Sequence, residues 1–139
     1  MADDTGVRLT VPAEPAALDT VQDALAGLWE RSGVDAVTAM RFETGLVEIT
    51  ANVIEHSFDP DHPGREFTLV VEVGAAEVTA QLSDNGKPAA IDLSDVTLPD
   101  DDAESGRGLA IALATLDELT HEHRDGLNIW HLSLRRTVT

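Results

Sequence analysis

The stretch Phe67-Thr68-Leu69-Val70-Val71-Glu72-Val73-Gly74-Ala75-Ala76-Glu77-Val78-Thr79-Ala80-Gln81-Leu82 decides the fold class. Residues 67–73 and 77–82 are rich in β-branched and apolar side chains. The three small residues between them make a turn. Two strands joined this tightly pair antiparallel. A second hairpin follows near the C-terminus, where residues 119–124 and 128–134 read as strands around Asp125-Gly126, a strong turn signal. A further strand is expected over residues 7–11, where apolar and polar residues alternate.

Helical spacing fills the intervals. Leu18, Val21, Leu25 and Leu28 predict a helix over residues 16–32, with Gly33 as its C-terminal cap. Phe42, Leu46, Ile49 and Val53 form the stripe of a second helix from about Asp35, a plausible N-cap, to His56. A third is expected over residues 109–119. Residues 59–64 and 83–88 read as loops, and residues 99–105 as an acidic, mobile segment. The implied architecture is a two-layer α/β sandwich of the α+β type. A mostly antiparallel, mixed sheet carries helices on one face, in one domain over residues 1–139.

Composition narrows the function. The chain has 139 residues, 42% of them hydrophobic, enough for one core. It has no cysteine, which excludes disulfides and thiolate metal sites and favours a cytoplasmic location. No apolar run approaches the roughly 20 residues of a membrane span. The N-terminus, Met1-Ala2-Asp3-Asp4, lacks the apolar core of a signal peptide. A formal net charge of −17 with scattered basic residues disfavours direct nucleic-acid binding.

Three segments carry chemistry. In Glu48-Ile49-Thr50-Ala51-Asn52, Glu48 and Asn52 stand four apart and share a helix face. A carboxylate there suits a general base, and a carboxamide oxygen suits magnesium. In Asp84-Asn85-Gly86-Lys87-Pro88, a strand-end carboxylate can accept from the exocyclic amine of adenine, and Gly86 admits close backbone approach. In Ser105-Gly106-Arg107-Gly108-Leu109, glycines open a helix whose free amides suit phosphate, with Arg107 adding positive charge. Taken singly, each has an ordinary explanation: an amphipathic helix, a turn and a hinge.

In chain order the three segments resemble the histidine-kinase-like (GHKL) ATPase superfamily, and the resemblance spans nearly the whole chain. Residues 48–56 and 105–111, Asp117-Glu118 and Asp125-Gly126-Leu127-Asn128 are most similar to the anti-sigma-factor serine/threonine kinases of bacterial stress-response and sporulation switches. The resemblance implies ATP and magnesium as cofactors, Glu48 as catalytic base and Asn52 as magnesium ligand. It also implies Asp84 and Gly86 at adenine, with Gly106, Arg107, Gly108 and Leu109 at the phosphates. Pro88 and Leu127-Asn128 depart from the commoner glycine and threonine of that family.

The function so implied is phosphorylation of a STAS-type anti-anti-sigma partner and sequestration of a sigma factor, as a homodimer. The acidic segment 99–105 is then expected to order on nucleotide binding. The competing reading is a nucleotide-binding regulatory module with little or no kinase activity. A two-component histidine kinase is disfavoured, because the fold begins near Val7 and leaves no room for a phospho-accepting helical hairpin. His56 reads as structural, His121, His123 and His131 lie on the expected strands without metal-ligand spacing, and Trp29 and Trp130 read as core or interface residues.

Overall fold

The computed structural model describes residues 5–59, 61–88 and 104–137, with side chains throughout except at 104–107. The chain runs β1 (Gly6–Pro12), α1 (Ala16–Ser32), α2 (Ala36–His56), β2 (Glu66–Val73), β3 (Glu77–Asp84), α3 (Glu104–Thr115), β4 (Glu118–Arg124) and β5 (Leu127–Arg135). The expectation for residues 99–103 lies outside the described residues.

The strands form one sheet in the order β1-β2-β3-β5-β4, and all four pairings are antiparallel. Period-two burial sets its two faces. Phe67, Leu69, Val71 and Val73 of β2 are buried, as are Val78, Ala80 and Leu82 of β3 and Trp130, Leu132 and Leu134 of β5. Residues between them carry Thr68, Thr79, Gln81 and His131 on the opposite face, where Thr10 and Thr68 share a hydroxyl hydrogen bond of 2.9 Å. The helices cover the apolar face. Val21, Leu25 and Leu28 of α1, with Phe42, Leu46, Ile49 and Val53 of α2, are fully buried in the same core. The α+β sandwich is therefore as the sequence indicated, with a wholly antiparallel sheet among the described residues.

Local chemistry sets several boundaries. Gly33 ends α1 at φ 67°, where its N–H reaches Trp29 O. Asp35 caps α2, its carboxylate accepting from Thr38 N at 2.9 Å. Asp125 and Gly126 turn between β4 and β5 at φ 56° and 79°, as a tight Asp-Gly hairpin requires.

The third helix departs from expectation. It spans Glu104–Thr115 rather than residues 109–119, so it takes in the Gly-Arg-Gly segment. Glycine lowers helix propensity, but packing against α2 outweighs it. Ala112 is fully buried between the layers, and a methyl group on Gly45 of α2 would sit 2.8 Å from Leu116 Cγ. At its other end, Asp117 N donates to Ser133 O at 2.9 Å, and the Asp117 carboxylate accepts from Arg135 N at 2.7 Å. The sheet edge thus captures the chain where a longer helix was expected.

Candidate functional site

Glu48 and Asn52 lie one turn apart in α2, both half-buried, beside the stripe that enters the core. Glu48 meets α3 directly. A methyl group built on Gly108 would stand 2.8 Å from Glu48 Oε2, so only hydrogen at that position leaves the carboxylate where it is. Residues 60 apart in sequence are thereby held in contact. Leu109, next on α3, packs partly buried against the core. Gly106 and Arg107 lie in the first turns of α3, and the direction of the Arg107 side chain is outside what is described.

Asp84 forms a second centre at the end of β3. It is only 1% exposed. Its Oδ1 accepts from Gly86 N at 2.9 Å and from Asn128 Nδ2 at 3.0 Å. Ser57 Oγ lies at the limit of hydrogen-bond reach, 3.5 Å from Oδ2. Burial raises the Asp84 pKa above the ordinary carboxylate range, while the bonds from Asn128, Gly86 and Ser57 oppose that shift. The result is a buried carboxyl group whose pKa stays raised, with the donated hydrogen bonds offsetting part of the burial.

Gly86 is packed without slack. A Cβ there would fall 2.2 Å from Ser57 O, the carbonyl that also accepts from Lys87 N at 2.8 Å. The chain after β3 thus passes backbone against backbone over the C-terminal cap of α2. This contact links the two centres, because Ser57 directly follows the helix that carries Glu48 and Asn52. On the other side of Glu48, a groove of about 520 Å³ runs between α1 and α2, lined in part by Trp29, Met40, Glu43, Thr44 and Val47. Trp29 Nε1 donates to Glu43 Oε1 at 3.0 Å in its wall, and Met40 is 65% exposed.

Three residues at the Asp84 centre were not picked out as ligands from sequence: Ser57, Asn128 and His121. Asn128 lies directly across from Asp84 in the β3–β5 register. His121 packs on Trp130, ring centroids 4.5 Å apart, and burial lowers its pKa, with Asn128 and the Asp84 charge pulling the other way. The pairing of β3 with β5 spans more than 40 residues, so no local sequence signal announces it.

A buried acceptor at Asp84 and a helix N-terminus at α3 are group types that suit a purine base and its phosphates. Among the described residues there is no cluster of His, Cys, Asp and Glu able to hold a metal by protein groups alone.

The chain belongs to the histidine kinase-like ATPase domain family, which matches residues 11–133. Membership makes it an ATPase-type, kinase-like domain. No curated protein matches the chain. Among solved structures, it is similar to the RsbU and RsbW domains of Rv1364c from Mycobacterium tuberculosis, at TM-score 0.68 and 22% identity, covering 96% of this chain and 34% of that one. It also resembles the Acinetobacter baumannii histidine kinase AdeS, at TM-score 0.53 and 13% identity, covering 95% of this chain and 68% of that one. At these identities the likeness is one of fold, and the chain spans about a third of the length of the tuberculosis structure. Among the described residues no helix is long and apolar enough to cross a membrane.

Proposed function

We propose that this protein is an ATP-dependent serine/threonine kinase of the anti-sigma-factor type. The observation that carries the reading is the contact of Glu48 with Gly108, which brings a carboxylate against the glycine-rich start of a helix. Asp84 and Gly86 would hold the base, the Gly106–Gly108 turn the phosphates, and Asn52 a magnesium ion. Bound ATP with magnesium supplies the activated phosphoryl group and the charge neutralisation its transfer needs.

The chain's own residues do the rest. Glu48 accepts the proton of the acceptor hydroxyl at a carboxylate oxygen. The groove between α1 and α2 ends at Glu48 and receives the protein segment that bears that hydroxyl. Its occupant would be a STAS-type anti-anti-sigma protein, and the unmodified partner would compete with a sigma factor for the same protein, in the cytoplasm and as a homodimer. The RsbW domain in the tuberculosis structure supports this placement. The same site without transfer would make the chain a nucleotide-dependent binding module.

Glu48→Gln separates the two readings. It keeps size and polarity and removes proton acceptance, so phosphate transfer should fall about 100- to 10,000-fold. ATP affinity should stay within a few-fold. Labelled-phosphate transfer to the partner and ATP affinity are measured side by side. Transfer unchanged in Glu48→Gln would remove Glu48 from the mechanism. ATP binding without transfer in the wild type would establish the binding module.

A further inference from the structure

α2 carries a second apolar stripe that the fold leaves uncovered. Its first, from Phe42 to Val53, enters the core. The second lies in the groove between α1 and α2, where Ala36, Ala39, Met40 and Val47 form the α2 side. These positions recur at helical spacing, so they share one face. Met40 is 65% exposed, and Val37, three residues before it, is 53% exposed. They are two of the three large hydrophobic side chains exposed among the described residues. Thr44 donates its hydroxyl to Met40 O at 2.8 Å, within the helix, and so asks for no polar partner in the groove.

The α1 side is fixed in place. Trp29 meets Phe42 edge-on, ring centroids 6.1 Å apart, and donates from Nε1 to Glu43 Oε1 at 3.0 Å. The indole thereby orients the Glu43 carboxylate, which keeps a second oxygen. Glu48 stands at the end of the groove. The described residues that line it include these two carboxylates and no Lys or Arg, on a chain of net charge −17. An apolar floor with acidic charge alone selects an apolar surface flanked by positive charge. A second copy of this chain does not fit that description, because it brings the same acidic charge to the same face. The lining runs from Ala36 to Glu48, about 18 Å of helix axis, a little over three turns. A partner helix of that length can lay apolar residues at i, i+3, i+4 and i+7 along it.

We infer that this groove docks a basic amphipathic helix of a protein partner, its apolar stripe on Met40 and Val47 and a Lys or Arg at Glu43. The inference rests on the reading given above that a partner segment enters this groove, and it names the chemistry of that segment.

The probe is a fluorescein-labelled peptide of leucine and lysine, about 14 residues long, with leucine at helical spacing. In one control peptide glutamate replaces lysine, and in another serine replaces leucine. Fluorescence polarisation is read on the full chain without nucleotide. The leucine–lysine peptide should bind about tenfold or more tightly than either control. Met40→Ser removes the apolar anchor and should weaken binding about tenfold. Glu43→Gln keeps an acceptor for Trp29 Nε1 and removes only the charge, so it should weaken binding about three- to fivefold. Glu72→Gln removes the same charge from an exposed site on β2, and affinity should stay within about twofold. Equal losses in Glu43→Gln and Glu72→Gln would mean diffuse attraction to an acidic chain and would overturn the inference. Unaltered binding in Met40→Ser, or no preference for the leucine–lysine peptide, would overturn it as well. The measurement involves no nucleotide and no transfer. A chain that transfers phosphate but shows no such preference fails this inference alone. One that binds the peptide as expected and transfers nothing upholds the inference and removes the kinase reading.

Discussion

Replacing Gly86 by alanine should unfasten the Asp84 centre, and the structure sets the size of the effect. The new Cβ would lie 2.2 Å from Ser57 O. Ordinary carbon–oxygen contacts begin at about 3.3 Å, so the two backbone segments must part by roughly 1 Å. Neither is a flexible side chain that can turn aside. The separation stretches Lys87 N→Ser57 O, now 2.8 Å, and Gly86 N→Asp84 Oδ1, now 2.9 Å, beyond useful length. A neutral hydrogen bond is worth about 1 kcal/mol and one to a charged group about 1.5–3, giving a loss of about 2–4 kcal/mol. For a chain of this size that is a fall in Tm of roughly 6–15 °C. Thermal unfolding by circular dichroism reads it directly, with urea unfolding as a check on two-state behaviour. Gly126→Ala is the control: its φ is 79° but no atom lies within 4 Å, so only backbone strain of about 1–2 kcal/mol applies. A Gly86→Ala protein that melts within 2 °C or so of wild type, or no lower than Gly126→Ala, would refute the argument from close approach.

Other outcomes follow from the same contacts. Gly45→Ala places a methyl 2.8 Å from Leu116 Cγ and Thr115 Oγ1, and overpacking of this kind should cost about 1–3 kcal/mol in urea unfolding. Asp84 has a folded pKa raised by burial, so the folded state holds its proton more tightly than the unfolded one. Its contribution to stability should therefore decline as pH rises from the ordinary carboxylate range to the raised value, and Asp84→Asn should lose that decline when stability is followed by urea titration against pH. His121 has the opposite sign: its folded pKa is lowered, so stability should fall as pH drops below the ordinary histidine value. The variant His121→Phe should be flatter over that acid interval in the same titration. Magnesium-ATP should raise the Tm of wild type, and Asp84→Asn should reduce that rise; equal shifts would argue against the assigned pocket.

The candidate site was legible in pieces. Glu48 and Asn52 could be read as one unit because an α-helix places i and i+4 on one face whatever surrounds it. Asp84 and Gly86 could be read as another because a strand end followed by glycine is local. Their partners could not. Ser57 faces Gly86 only because the chain crosses the cap of α2 after β3, and Asn128 faces Asp84 only because β5 inserts between β3 and β4. His121 looked like an ordinary strand histidine until that register brought it to Trp130 and Asn128.

By itself, the sequence determined the strands, the first two helices with their caps and the hairpin at Asp125-Gly126. Each depends on periodicity or on backbone preferences that act over a few residues. Tertiary structure decided where α3 begins and ends, since burial of Ala112 and the fit of Leu116 over Gly45 outweigh the cost of two glycines in a helix. It also decided the order of strands, and through that order the donors that surround Asp84. Those outcomes depend on contacts between residues far apart in the chain, whose energies exist only once the layers have packed.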